Sequence, residues 1–377
     1  MLRLRIVQII NSGEKIMQIG TLALFQRQSY DDSVTDSQVY QEELKLASQL
    51  EAQGYDSHWC VEHHFEDYSF CPDNVVYLSH IAALTKTLKL ATGAVIVPWN
   101  TPLRVAEKIA LLDELSGGRV IFGMGRGLSK REYDQFGIDM DSSRDRFDEA
   151  APMILNALET GVMQGDGKYY KQPLAKIRPA PTRTFKGRVT QVASSPDSAL
   201  ACATNRAQMM VFVQKPVEEQ NADFVPYREL YQKLHNEPAP PPLMAGITVC
   251  HEDAGRAEEL ARKHIAGYLL TVMHHYELMG DHFKKAKGYE TYGEAVDMLR
   301  EVGLEGMANA YVDAQPWGTP DQMLEKLSNT RSVIGDFDVL FGFRAAGMPF
   351  KDAENSQRLI AEKVIPELRS WGKAAAA

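Results

Sequence analysis

A chain of 377 residues, 44% hydrophobic and 24% charged, is long for one ordinary domain but fits a single eightfold β/α barrel with insertions. Its 41 basic and 50 acidic side chains leave a net charge of −9, which argues against nucleic acid as a partner. No stretch approaches the roughly eighteen apolar residues that span a bilayer, and Cys60, Cys71, Cys202 and Cys250 lack any CxxC spacing, so the expectation is a cytoplasmic protein with reduced thiols.

The apolar part of residues 1–16 is too short for a secretory signal, and no small-residue cleavage site follows. Residues 12–15 would be encoded by a purine-rich stretch compatible with a ribosome-binding site, which makes Met17 a candidate start. The expected domain organisation is an extension at 1–16, one barrel domain over 17–371, and a frayed tail at 372–377 that ends in four alanines.

From Met17 the predicted elements follow in order. A short buried strand covers 19–24, and Val39, Leu44, Leu46, Ala47 and Leu50 recur at helical spacing over 36–53 before Gly54. A strand at 55–61, a helix at 74–84 and a strand at 88–97 come next; the last is almost wholly apolar or small, as a strand buried on both faces should be, and Pro98 ends it. The following helix starts near Pro102, carries Val105, Ala106, Ile109, Ala110, Leu112 and Leu115, and stops at Gly117 and Gly118. That apolar surface is broader than one barrel face requires, so a homodimer built around the second and third helices is expected.

A strand at 119–123 leads through a glycine-rich loop to a helix at 143–158, and the proline-dotted stretch 161–187 reads as an insertion or hairpin. Strands at 189–193 and 208–213 flank a helix opened by Ser195-Pro196-Asp197. After a proline-rich turn at 238–242 come a strand at 243–250, a helical tract from Asp253, a polar and weakly periodic stretch at 280–316 expected to be a lid, a strand at 337–341 and a helix at 353–371. Eight such repeats predict a (β/α)8 TIM barrel, and the doubly wound alternative lacks the glycine fingerprint after its first strand.

Three places carry chemistry. Glu62-His63-His64 falls where the second strand gives way to a loop, the end at which parallel α/β proteins bind ligands, although two adjacent histidines are also common on surfaces. Neighbouring residues on extended chain diverge and no HExxH or Cys-His spacing occurs, so no metal is expected; His274-His275, within a helical tract, reads as a solvated or capping pair. Gly123-Met124-Gly125-Arg126-Gly127 lets backbone approach a ligand and offers a guanidinium to a phosphate, but it is also a plain glycine-rich turn. Ser194-Ser195-Pro196-Asp197-Ser198 is an ordinary helix cap or, with Arg126, an anion site.

Glu62-His63-His64-Phe65, the run 88–98, Leu112-Asp113, Phe122-Gly123-x-x-Arg126-Gly127, Phe136-Gly137-x-Asp139-Met140-Asp141, Ser143-Arg144, Gly318-Thr319-Pro320 and Phe341-Gly342-Phe343 occur in one order. Together they resemble the luciferase-like flavin-dependent monooxygenases, most of all the bacterial luciferase α subunit. The resemblance implies a barrel whose mouth binds FMN, with His63 as the catalytic acid–base histidine. It also implies Arg126 on the FMN phosphate with Ser194, Ser195 and Ser198, and a non-proline cis peptide at Gly93-Ala94 beneath the flavin ring. Where the luciferase α subunit has a reactive cysteine this chain has Gly125, and Ser194 replaces a phosphate-site glutamate, so light emission is not implied. The implied function uses reduced FMN from a flavin reductase, with O2 as co-substrate, to oxygenate an apolar small molecule such as an aldehyde or ketone. The alternatives are a deazaflavin-dependent oxidoreductase of the same superfamily and a non-catalytic flavin-binding subunit.

Overall fold

Strands β1 (Ile19–Ala23) and β2 (Ser57–Cys60) are buried at every position, which is the pattern of strands covered by helices outside and by packed side chains inside. The computed structural model describes residues 16–30, 33–193, 195–278, 280 and 303–374. Between these two strands runs α1 (Asp36–Gln49), capped by the Thr35 hydroxyl on the Gln38 N–H. After β2 come α2 (Asn74–Leu84), β3 (Lys89–Thr92), β4 (Val95–Ile96), α3 (Pro102–Ser116), β5 (Val120–Gly125), the short α4 (Lys130–Gln135) and α5 (Ser143–Thr160). An antiparallel hairpin of β6 (Val162–Asp166) and β7 (Lys171–Lys176) accounts for the expected insertion.

The second half adds β8 (Val189–Val192), α6 (Pro196–Thr204), β9 (Gln208–Phe212), α7 (Val217–His235), β10 (Leu243–Ile247), β11 (Val249–Cys250), α8 (Ala254–Leu260) and α9 (Ala266–His275). It closes with α10 (Leu304–Ala314), β12 (Trp317–Gly318), α11 (Pro320–Ile334), β13 (Asp338–Gly342), α12 (Phe350–Leu359) and α13 (Ile365–Ala374). The main sheet runs β3-β2-β1-β13-β10-β9-β8-β5, and pairing of β3 with β5 closes the ring. Every pairing in it is parallel. The (β/α)8 barrel expected from the eightfold alternation is therefore the observed fold. Its interior is filled, as at Trp59, whose indole N–H donates to the Ser57 hydroxyl at 2.9 Å.

Several expectations need correction. The run 88–97 is two strands, interrupted by a cis peptide between Gly93 and Ala94. The run 243–250 also divides, because β11 leaves the barrel to pair with β12. No helix was expected at α4, α7, α10 or α11; α7 carries Pro226 within it and a largely polar sequence, which hides its period. Of the expected lid, α10 is packed through Tyr311 and Val312, while 281–302 lie outside the described residues, as do 1–15. The last helix continues to Ala374, into the stretch expected to fray.

The breadth of the third helix is largely consumed within the chain. Val105, Ala106, Ile109, Ala110 and Leu112 are buried, with α3 packed against α2 and α5, so their abundance does not by itself call for a second subunit. Leu111 and Leu115 of α3 stay exposed, as do Val76 and Leu84 of α2. Among the described residues no helix is long and apolar enough to cross a membrane. All four cysteines are buried and unbridged.

Candidate active site

The C-terminal end of β2 delivers Glu62, His63 and His64 to the barrel mouth, and each side chain takes a different task. Glu62 is buried and accepts from the Ile96 N–H at 3.1 Å, the Trp99 indole at 2.7 Å and the Asn100 amide at 2.9 Å. It thereby ties the loop after β2 to the end of β4. His63 places Nδ1 3.1 Å from Oε1 of Glu132 and Nε2 3.4 Å from the Tyr276 hydroxyl. The His64 N–H also donates to Glu132 Oε1, at 2.8 Å.

Glu132 is the centre of this group. It lies in the first turn of α4 and is 1% exposed. Burial opposes its ionisation, but the attraction of His63 and the neighbouring His275 ring outweighs that and holds the carboxyl down to about 2. An ionised carboxylate only accepts, so Nδ1 of His63 carries the proton of their hydrogen bond and Nε2 is the nitrogen left to exchange one. By contrast His58, bonded to Thr21 and Tyr77, is a structural histidine whose imidazole burial drives down to about 3.

His275 corrects the reading of His274-His275 as a solvated pair. His274 is exposed, but His275 is wholly buried and lies flat on Tyr68, with centroids 4.3 Å apart and planes at 15°. Its Nε2 is 3.8 Å from Glu132 Oε2, beyond hydrogen-bond distance, and burial lowers the pKa of the imidazole.

The floor beside these groups is backbone. Asn74 donates to the carbonyls of Cys60 and Ala94 at 3.2 and 3.1 Å, tying the cis-peptide segment to the end of β2. A Cβ on Gly123 would sit 1.9 Å from the Thr92 carbonyl oxygen, so β3 and β5 approach this closely only with glycine there. A Cβ on Gly125 would lie 3.4 Å from that of Ala94, which brings Gly93-Ala94 and Gly125 to one spot.

Across the mouth, Ser195 caps α6 by accepting from the Ser198 N–H, and its hydroxyl lies 2.8 Å from that of Ser198. The Arg144 guanidinium is 3.4 Å from the Ser198 hydroxyl. Burial pushes the Asp148 carboxyl up, and the Arg144 and Arg126 charges, both within electrostatic reach of it, act against that. Two cations, two hydroxyls and a helix N-terminus fit a dianionic phosphate, and the open backbone floor fits a planar ring, so the residues present suit FMN. Arg126 is further fixed through its carbonyl, which accepts from the Tyr133 hydroxyl. Ser194 lies outside the described residues.

Glu132, Arg144 and His275 are the site residues that sequence reasoning did not single out for a role. Ser129-x-x-Glu132 carries the pattern of a helix-capping box, so its carboxylate reads as a cap. A cavity of about 810 Å³ lined by Lys215, Met244, Trp317, Lys326 and Val339 lies between α7, α10, α11 and the strands β10 and β13, and it contains none of the His63 group.

The model of the family described as luciferase-like monooxygenase matches residues 17–336. The alkanal monooxygenase alpha chain of Photorhabdus luminescens is 26% identical over 337 residues, covering 86% of this chain and 91% of the relative. Monooxygenase RslO1 from Streptomyces bottropensis superposes with a TM-score of 0.76 at 25% identity, covering 93% of this chain and 99% of that one. The oxygenating constituent of 3,6-diketocamphane monooxygenase from Pseudomonas putida, solved with FMN, superposes with a TM-score of 0.69 at 18% identity over 94% and 99% of the two chains, a likeness of fold alone.

Proposed function

The chain belongs to the luciferase-like monooxygenase family, and from that premise we propose that it is an FMN-dependent monooxygenase that takes reduced flavin from a separate reductase and uses O2 to oxygenate an apolar aldehyde or ketone. The observation that carries this reading is the pairing, on one barrel rim, of a charge-oriented histidine with a cationic, hydroxyl-lined anion pocket. Arg126, Arg144, Ser195 and Ser198 would hold the flavin phosphate, and Gly93, Ala94 and Gly125 would underlie its ring. Bound reduced flavin supplies the electrons that activate O2.

The protein's own part is to orient and to move protons. Glu132 holds His63 with Nδ1 protonated, so Nε2, next to the Tyr276 hydroxyl, accepts and returns a proton during oxygen transfer. Phe65, which is 62% exposed, and Phe136 meet His64 at the rim and supply an apolar surface for the substrate. The Photorhabdus relative is an alkanal monooxygenase alpha chain, which favours aldehydes as the first substrates to try. A separate reductase is part of the reading because no nicotinamide fingerprint occurs in the sequence. A cytoplasmic homodimer completes it.

The test is turnover with chemically reduced FMN, ¹⁸O2 and a panel of aldehydes and ketones, read by mass spectrometry. One labelled oxygen per product molecule supports the reading. Hydride transfer from a reduced deazaflavin without O2 uptake overturns it.

A further inference from the structure

Beyond flavin chemistry, the catalytic pair at the mouth of the barrel has a third neighbour, His275, that the proposed reaction does not require. His63, Glu132 and His275 come from three separate segments, and their ligand atoms lie within 4.8 Å of one another. Two features of the group are unexplained by packing alone. Among the described residues neither ring nitrogen of His275 has a hydrogen-bond partner although the residue is 0% exposed, and Oε2 of Glu132, facing it, has none either. Buried polar atoms are nearly always satisfied, so three orphaned atoms in one cluster point to a missing ligand.

We infer that His63, Glu132 and His275 form a binding site for one divalent transition-metal ion of the zinc class. Two imidazoles and a carboxylate are the donor set that zinc and its first-row neighbours take, whereas calcium and magnesium prefer oxygen ligands throughout. The donor set also carries a suitable charge, one carboxylate beside two imidazoles. Arg131 pairs with Glu66 at 3.1 Å and with Glu277 at 3.6 Å, and so clamps together the three segments that carry the ligands. Stacking on Tyr68 fixes the His275 ring in place. Metal–ligand distances of about 2.0–2.2 Å require the three groups to draw together slightly, and a set of three protein ligands leaves a coordination position open to solvent or substrate.

The site has a consequence for turnover, which rests on the reading of His63 above: an ion held there occupies the histidine and suppresses oxygenation without displacing flavin. Zinc-class ions are thus inhibitors of this enzyme, acting beside the flavin pocket.

The experiment uses the full chain, freed of metal, and titrates it with Co²⁺ while recording the visible absorption of the bound ion, then competes it with Zn²⁺. One ion per chain is expected, with tetrahedral or five-coordinate Co²⁺ bands. The exposed neighbour variant His274→Ala should retain this, while His275→Ala and, independently, Glu132→Gln should each weaken it by at least about 100-fold, more than the roughly 10–100-fold that loss of an outer-shell partner costs. Binding that is weak in the parent chain, or that survives both ligand substitutions, overturns the site. Stoichiometric Co²⁺ with undiminished turnover upholds the metal site and overturns the role given to His63, and the unchanged flavin affinity is read separately by fluorescence quenching.

Discussion

Nδ1 of His63 and Oε1 of Glu132 lie 3.1 Å apart although 69 positions separate them in the chain. The histidine comes from the end of β2, and the carboxylate from the short helix that follows β5. Because Glu132 also accepts from the His64 N–H, one buried carboxylate fixes both the backbone and the ring of the loop that presents the proton-transfer group. The site is therefore oriented by a charge that the barrel brings in from elsewhere.

Replacing His63 by alanine should leave FMN binding within a few-fold and lower oxygenated product by about 10² or more, the scale on which positioned acid–base groups act. The check is single-turnover product formation with prebound reduced FMN. Equal turnover in the variant and the parent would remove His63 from the mechanism.

Glu132→Gln should reduce product formation while leaving FMN affinity intact, because the amide no longer dictates which His63 nitrogen is protonated. It should also change stability against pH in a specific way. The carboxyl is lowered from 4.5 to about 2 in the folded protein, so its contribution is present above pH 4.5 and is lost as pH falls towards 2. Integrated, that is roughly 3 kcal/mol. Denaturant unfolding should show the gap between parent and variant closing by that amount from pH 6 to pH 2, and parallel curves would count against it.

Arg126→Ala should weaken FMN binding by about 1.5–3 kcal/mol, the range for a charge-assisted contact, and Arg144→Ala should do likewise. Adding Ser195→Ala to Arg126→Ala should cost less than the sum of the single effects, since groups around one phosphate couple. Riboflavin, which lacks the phosphate, is the control: an equal loss of riboflavin and FMN affinity would place the phosphate elsewhere.

The pair Leu111→Glu and Leu115→Glu should convert the proposed dimer to a folded monomer, because both side chains are exposed on the outer side of α3. Ile109→Glu should instead unfold the chain, at a cost above about 4 kcal/mol, since Ile109 is wholly buried within a single chain. Light scattering and thermal denaturation separate the two outcomes. A dimer that survives the Leu111 and Leu115 changes has its interface on another surface.

The barrel was legible in the sequence because strands buried on both faces must be apolar throughout and helices must repeat near every 3.6 residues, so β1, α1 and α3 announce themselves. The location of His63 followed from the same local rule, since a strand end is visible in sequence. What the sequence could not decide was distance across the mouth. Glu132 looks like a capping residue and His275 like half of a solvated pair, and nothing in their neighbours says otherwise. Arg144 sits in a recognisable motif, yet the motif does not say that its guanidinium reaches Ser198. Likewise the apolar breadth of α3 was visible, but whether the chain itself or a partner covers Ile109 depends on how α2 and α5 pack. Burial and proximity are properties of the closed ring, because pairing β1 with β13 in a closed sheet brings segments from opposite ends of the chain to one mouth.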